Sequence, residues 1–270
     1  MFIPLNSSDT KWSDFTLVCP CISVGNVGQL ATDLIISTLK MEHVGYLSDS
    51  SMLPMCGNDP FNTSGLVEGK LCTTAEVYQS DEKKLLVVQL RALLVKGKHS
   101  QFRKKLLDWI KRSNFSRVIL LTSSFAYERI DSQITGSPLR YLTTPMLEKH
   151  PNSPTKCGLG HWKQLERRDF VWSPEPEGTS IPEAAKGVYI PGGGIAKRFF
   201  EDCCREDIAL AILLNFCSEG DNIPHALQLA NYLNEWLKVT EKSKQASGCS
   251  FKIPSSWTLL FGNAVNPELY

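Results

Sequence analysis

The chain has 270 residues, 42% of them hydrophobic, enough to bury a full core as one large domain or at most two, and one domain over 1–270 is the better reading. Its 29 basic and 28 acidic residues leave a net charge of +1, which excludes a global field drawing the chain to nucleic acid, membrane or acidic substrates. Nine cysteines without a C-x-x-C pair fit reduced thiols in the cytoplasm or nucleus. The opening MFIPLNSSDTKW lacks the basic start and apolar run of a secretory signal, and Leu85 to Val95, interrupted by Gln89 and Arg91, is too short to cross a bilayer.

In chain order, Phe15 to Leu39 reads as a buried strand, a glycine turn and a helix. Gly25 and Gly28 are spaced G-x-x-G, but Ser23 stands where a dinucleotide fingerprint needs a further glycine, so the turn serves tight packing or holds a phosphate. Cys19 and Cys21 share a strand face, as core or, less readily, as metal ligands. His43 to Leu47 is a short strand, followed by a Pro/Gly/Asn-rich connection from Pro54 to Gly69. Ala75 to Tyr78 and Lys84 to Arg91 are two strands, and Ser80 and Asp81 between them favour a hairpin.

Ser100 to Arg112 places Phe102, Leu106 and Trp109 on one helical face, and Arg117 to Thr122 is a buried strand. Ser123 and Ser124 follow at its carboxyl end, where open α/β sheets bind ligands, although capping and turn formation use such serines too. About 143–187 the prolines multiply and periodicity weakens, giving an irregular excursion with one short helix near His161 to Arg168. Gly192 to Gly194 then precede a helix from Ile195 to Cys204 and could form an anion nest.

Ile208 to Cys217 is apolar nearly all round and predicts a buried helix. The next helix begins at Pro224 and runs to Lys238, with Ile223, Ala226, Ala230, Leu233 and Leu237 as its core stripe. Leu229, Tyr232 and Trp236 widen the stripe at a shoulder where a partner could pack, unless the core face is simply wide. Thr240 to Ser250 is polar and linker-like, and about 263–270 reads as a flexible tail.

The alternation of strand and helix predicts a layered α/β fold, a mixed and mostly parallel sheet between helices. No H-E-x-x-H, G-x-S-x-G or P-loop pattern occurs, and the histidines at 43, 99, 150, 161 and 225 stand in unrelated contexts, so no catalytic, metal or cofactor-binding residue is assigned.

SVGNVGQLATDLIISTL, KLLVVQLRALLVK, RVILLTSSFAYERID, YIPGGGIAK, LLNFCSEGDNIPHAL, NYLNEWL and KIPSSWTLLFG, collinear from Ser23 to Gly262, together resemble the PAC2 family of proteasome assembly chaperones. The resemblance implies a three-layer α/β/α fold similar to phosphorylase-type folds, and an ATP-independent chaperone rather than an enzyme, with no cofactor. It implies an obligate heterodimer with proteasome assembly chaperone 1 that binds alpha-type subunits and promotes alpha-ring assembly of the 20S proteasome. A nucleoside- or phosphate-handling enzyme of phosphorylase-like fold is the alternative. Family members can place a hydrophobic-Tyr-X tail in an alpha-ring pocket. The last residues here, Pro267, Glu268, Leu269 and Tyr270, depart from that pattern, because leucine occupies the penultimate place. Leu269 and Tyr270 are expected either to contact the alpha ring or to fold back onto their own domain.

Overall fold

The computed structural model describes residues 1–6, 12–61, 70–169, 180–240 and 251–259. Its elements are β1 (Phe2–Pro4), β2 (Thr16–Pro20), α1 (Val27–Leu39), β3 (Glu42–Leu47), β4 (Cys56–Asn58), β5 (Leu71–Thr73), β6 (Ala75–Ser80), β7 (Leu85–Leu90), α2 (His99–Ser113), β8 (Arg117–Phe125), α3 (Asp131–Ile134), β9 (Leu139–Thr143), α4 (Pro145–Lys149), α5 (Ala196–Arg205), β10 (Leu210–Cys217) and α6 (Ile223–Leu237).

Eight strands form one mixed sheet in the order β1-β3-β6-β7-β2-β8-β10-β9, and β4 pairs with β5 in a separate ribbon. The centre, β7-β2-β8-β10, is parallel, and the pairings outside it are antiparallel. Antiparallel pairing reverses β6, β9 and β1 and turns β3 back, so five of the eight strands (β2, β3, β7, β8 and β10) point one way. The hairpin expected at Ser80 and Asp81 joins β6 to β7.

Central strands are continuous apolar runs because both of their faces are covered. Along β8, Val118 and Leu120 pack with α2 and α5 on one side, while Ile119 and Leu121 pack with α1 and α6 on the other. Leu210, Ile212 and Leu214 of β10 alternate with Ala211 and Leu213 in the same way. The layers are therefore helices, sheet and helices.

Two sequence expectations fail here. Residues 208–217 are not a helix but contain β10, which pairs with β8 and β9. A run that is apolar on every side satisfies a strand buried on both faces as well as a buried helix, and only the pairing decides. His161 to Arg168 is not helical either. The backbone N–H of Tyr141 donates to the Lys163 carbonyl at 3.1 Å, and that of Leu165 donates to the Tyr141 carbonyl at 2.9 Å. Extended chain there covers the β9 edge of the sheet and brings Glu166 to the fully buried Arg140, whose Nε donates to Glu166 Oε2 at 3.0 Å. An unpaired buried guanidinium would be costly, and the edge would be open, if these residues coiled into a helix.

Of the 143–187 excursion, residues 170–179 lie outside the described residues. The rest carries α4 and a 3-10 turn at Glu183–Ala185, with no longer helix among the described residues. The expected linker is described only at Thr240, because residues 241–250 lie outside as well.

Candidate functional site

In a doubly covered sheet, the place to look for a ligand is the crevice beyond the carboxyl ends of neighbouring strands, here β2 and β8. Both glycine turns converge on it. The Cys21 N–H donates to the Leu121 carbonyl at 2.7 Å, and the Val24 N–H donates to the Gly192 carbonyl at 2.9 Å, so the turns are bonded to the sheet and to each other. Gly28 must lack a side chain, since a Cβ there would sit 2.5 Å from the Leu121 carbonyl oxygen. Gly194, at φ +60°, is tighter still, with its Cβ position 2.3 Å from the Ile22 carbonyl oxygen. The glycines permit close backbone approach, and the backbone that approaches is the protein's own.

The hydroxyls at this junction are spent in the same way. Ser23 and Ser123 share a hydrogen bond of 2.7 Å between their Oγ atoms. Ser123 also donates to the Val24 carbonyl, and the Ser123 N–H donates to Ser23 Oγ at 3.2 Å. Ser124 Oγ donates to the Pro191 carbonyl at 2.8 Å, and Thr122 Oγ1 to the Gly193 carbonyl at 3.2 Å. Ser23, Thr122, Ser123 and Ser124 are all buried. Their partners are backbone groups, one another, and the Cys21 thiol beside Thr122 and the Cys217 thiol beside Ser123, and among the described residues their hydrogen bonds include no base that would activate an oxygen.

Beside the junction an apolar cavity of about 170 Å³ is lined by Ile22, Leu90, Leu94, Phe102 and Ile195, with His99 at one side. Ligand pockets for small molecules run to roughly 300–1,000 Å³. Burial pushes the Cys21 thiol there up to about 12, so it stays protonated at neutral pH. Cys19 and Cys21 belong to the same apolar cluster, and the described cysteines are free thiols. Among the described residues, no group of three or more His, Cys, Asp or Glu side chains could hold a metal ion.

The α6 shoulder is occupied from within. Leu229 and Trp236 are buried in the core with α1 and the sheet, so a wide core face, not a partner surface, accounts for both. The indole N–H of Trp236 donates to the Asn152 carbonyl at 3.0 Å, and Arg117 lies 5.0 Å from the centre of its ring. Tyr232 is half-buried, shares a 2.6 Å hydrogen bond with Ser137 and meets Trp162 edge-on at 5.8 Å. The excursion thus supplies the covering group, Trp162, which sequence reading had no pattern to pair with α6. Pro267, Glu268, Leu269 and Tyr270 lie outside the described residues.

The fold and this closed junction define a three-layer α/β/α protein whose glycine turns brace the scaffold. The model of the PAC2 family matches residues 17–243, and the chain belongs to that family. It is 46% identical over 270 residues to "Proteasome assembly chaperone 2" of Xenopus tropicalis, covering all of both chains. It is 43% identical over 273 residues to the protein of the same name from Homo sapiens, again covering all of both. Against the Nematostella vectensis protein it is 48% identical over 246 residues, which is 90% of this chain and 98% of the other. In fold it is similar to Pyrococcus furiosus PbaA, an archaeal homolog of proteasome-assembly chaperone, with a TM-score of 0.61, 15% identity and coverage of 90% and 89%. It is also similar to PbaB, an archaeal proteasome activator from the same organism, with a TM-score of 0.55, 17% identity and 90% coverage of each.

Proposed function

We propose that this chain is a proteasome assembly chaperone that pairs with proteasome assembly chaperone 1 and promotes assembly of the 20S alpha ring, without ATP hydrolysis, in the cytoplasm and nucleus. The observation that carries this reading is collinear identity above 40% with relatives of that name over the whole chain. The self-filled junction between β2 and β8 supports it, because a chaperone of this kind works through its outer surfaces rather than through a reactive crevice. Leu269 and Tyr270, with Pro267 and Glu268, contact the alpha ring, and Tyr232 contributes to the surface beside the excursion.

A tail of this kind binds weakly alone. A charge-assisted hydrogen bond contributes roughly 1.5–3 kcal/mol, whereas ordering each backbone residue costs about 1–2 kcal/mol. The folded body supplies the rest, and the tail gains from the local concentration the body provides.

Size-exclusion chromatography of the chain alone and with proteasome assembly chaperone 1, followed by an alpha-ring assembly assay with purified alpha subunits, tests the proposal. A stable 1:1 complex that accelerates ring formation is expected, and two chains that elute separately would sink it. Deleting Leu269 and Tyr270 should weaken alpha-ring binding while leaving the heterodimer intact. Inorganic phosphate or a nucleoside that raised the Tm would instead favour an enzyme, since a ligand binding only the folded state stabilises it.

A further inference from the structure

The apolar cavity beside the junction of β2 and β8 opens to the outside. Its lining takes in Leu93, which is 61% exposed, and the exposed His99 and Gly194, while Cys21, Leu90, Phe102 and Ile195 form the buried interior. An apolar cavity of roughly 150 Å³ holds a benzene ring, so about 170 Å³ gives room for one phenyl or leucyl group and none for a drug-sized molecule. A dent of that size on an outer surface suits a single side chain of another protein, the kind of pocket-filling anchor that carries most of the energy of an interface.

The surface at the mouth continues the apolar character. The Leu53 N–H donates to the Leu93 carbonyl at 3.0 Å, and the antiparallel bridge between Met52 and Leu94 sets Leu53 opposite Leu93. Directly opposed residues share a face, so the two leucines, 44% and 61% exposed, stand together.

The charge at the mouth has one sign. Among the described residues, no carboxylate lines the cavity. Between the lining residues Leu94 and His99 the chain carries Lys96 and Lys98, both exposed. From His99 the helix α2 starts without an acidic residue in its first turn and without a side-chain cap, so its positive end lies at the same place. Lys96 and Lys98 make no ion pair among the described residues. The acid of the neighbouring loop, Asp49, is bonded to Lys105, Ser51 and Gln101, and its side chain is 2% exposed. A carboxylate brought by a partner meets attraction here and no competing acid in the lining.

We propose that this dent is a docking point for a protein partner that inserts one aliphatic or aromatic side chain between Leu93, Phe102 and Ile195. An acidic residue next to that side chain is set against Lys96, Lys98 and the start of α2. The dent stands on its own geometry, and only its assignment to proteasome assembly chaperone 1 or to an alpha subunit rests on the chaperone reading.

Methyl NMR of the full chain with N-acetyl-Asp-Phe-amide tests the site directly. Shifts centred on the methyl groups of Leu93, Leu94 and Ile195 are expected, and N-acetyl-Lys-Phe-amide should bind at least about threefold more weakly because its charge is reversed. Leu93→Asp and His99→Glu, both at exposed positions that leave the core intact, should keep the parent's Tm and weaken the acidic dipeptide by a similar factor. In binding assays with the sister chaperone and with purified alpha subunits, both variants should weaken one of the two partners at least about tenfold. Shifts absent from those methyl groups, or equal binding of the two dipeptides, would overturn the proposal. So would unchanged affinity for both proteins, or the same shifts appearing with chain concentration alone, which would assign the dent to a second copy. If the parent chain binds neither protein, the chaperone reading falls and the dipeptides still decide the dent.

Discussion

Two concave places on the same sheet differ in what fills them. At the carboxyl ends of β2 and β8, two glycine turns press backbone against backbone and four buried hydroxyls bond to carbonyls or to each other. Over β3 and β6 a groove is lined by the half-buried rings of His43 and Tyr46 beside the buried Tyr78. The first place has the sequence marks of a ligand site and is scaffold. The second has no motif, yet it offers a surface. A glycine-rich turn marks where backbone must come close, without saying to what.

Substitutions can break this contrast, beginning with the junction. Gly194→Val should cost about 2–6 kcal/mol, combining overpacking with left-handed backbone strain, as read by denaturant unfolding. Gly136→Ala, at φ +88° with nothing near its Cβ position, is the control and should lose only the strain component. If both variants unfold alike, the turns are not wedged together.

Leu229→Ala is next, with a loss of about 2–5 kcal/mol in the isolated chain, as for a buried leucine. A leucine kept for a partner would leave the melting temperature of the isolated chain unmoved. Ser123→Ala should cost about 1–3 kcal/mol by deleting two buried hydrogen bonds, to Ser23 and to the Val24 carbonyl, which keep only the Ser123 amide, the Cys21 carbonyl and the Cys217 thiol as partners. A gain in stability there would show that the hydroxyl serves something other than the fold.

A smaller effect comes from Asp49. Burial pushes its carboxyl up, but hydrogen bonds from Lys105 and from the Ser51 hydroxyl and amide outweigh that and hold it at about 2, against an ordinary 3.8. A carboxyl depressed by folding stabilises the native state above its unfolded value, so this contribution is complete above pH 5 and fades as pH falls from about 4 to 2. Lys105 is half-exposed, and solvent screening reduces the contribution to the order of 1 kcal/mol. Asp49→Asn should remove that part of the acid loss; an unchanged pH profile would show that the pair contributes nothing. Smallest is Leu71→Ala at the groove, within about 0.5 kcal/mol of the parent, as expected at an exposed position. A larger loss would mean that the groove wall is part of the core.

Much of the layered order is legible in the residues. β2, β3, β6, β7 and β8 stand where apolar runs and turn residues put them, and α1, α2, α5 and α6 follow their apolar stripes. Residues 208–217 fail because the signal that separates strand from helix is periodicity, and full burial erases it. His161 to Arg168 fails for a different reason. Its conformation answers to Arg140 and to the β9 edge, some twenty residues away in sequence. The α6 shoulder follows the same logic, since the group that covers it, Trp162, belongs to a segment with no repeating pattern.

The sequence by itself determined the alternation of strands and helices, the close backbone approach at Gly28 and Gly194, and membership of the PAC2 family, because propensity, glycine geometry and motif order are local or collinear properties. Only the tertiary structure decided that β10 is a strand, that Leu229 and Trp236 face inward, that the junction of β2 and β8 is filled, and that a groove opens over β3 and β6. Each of those depends on which distant segments meet. That is settled by burial and by the pairing of backbone donors and acceptors across the whole sheet, which no window of the chain contains.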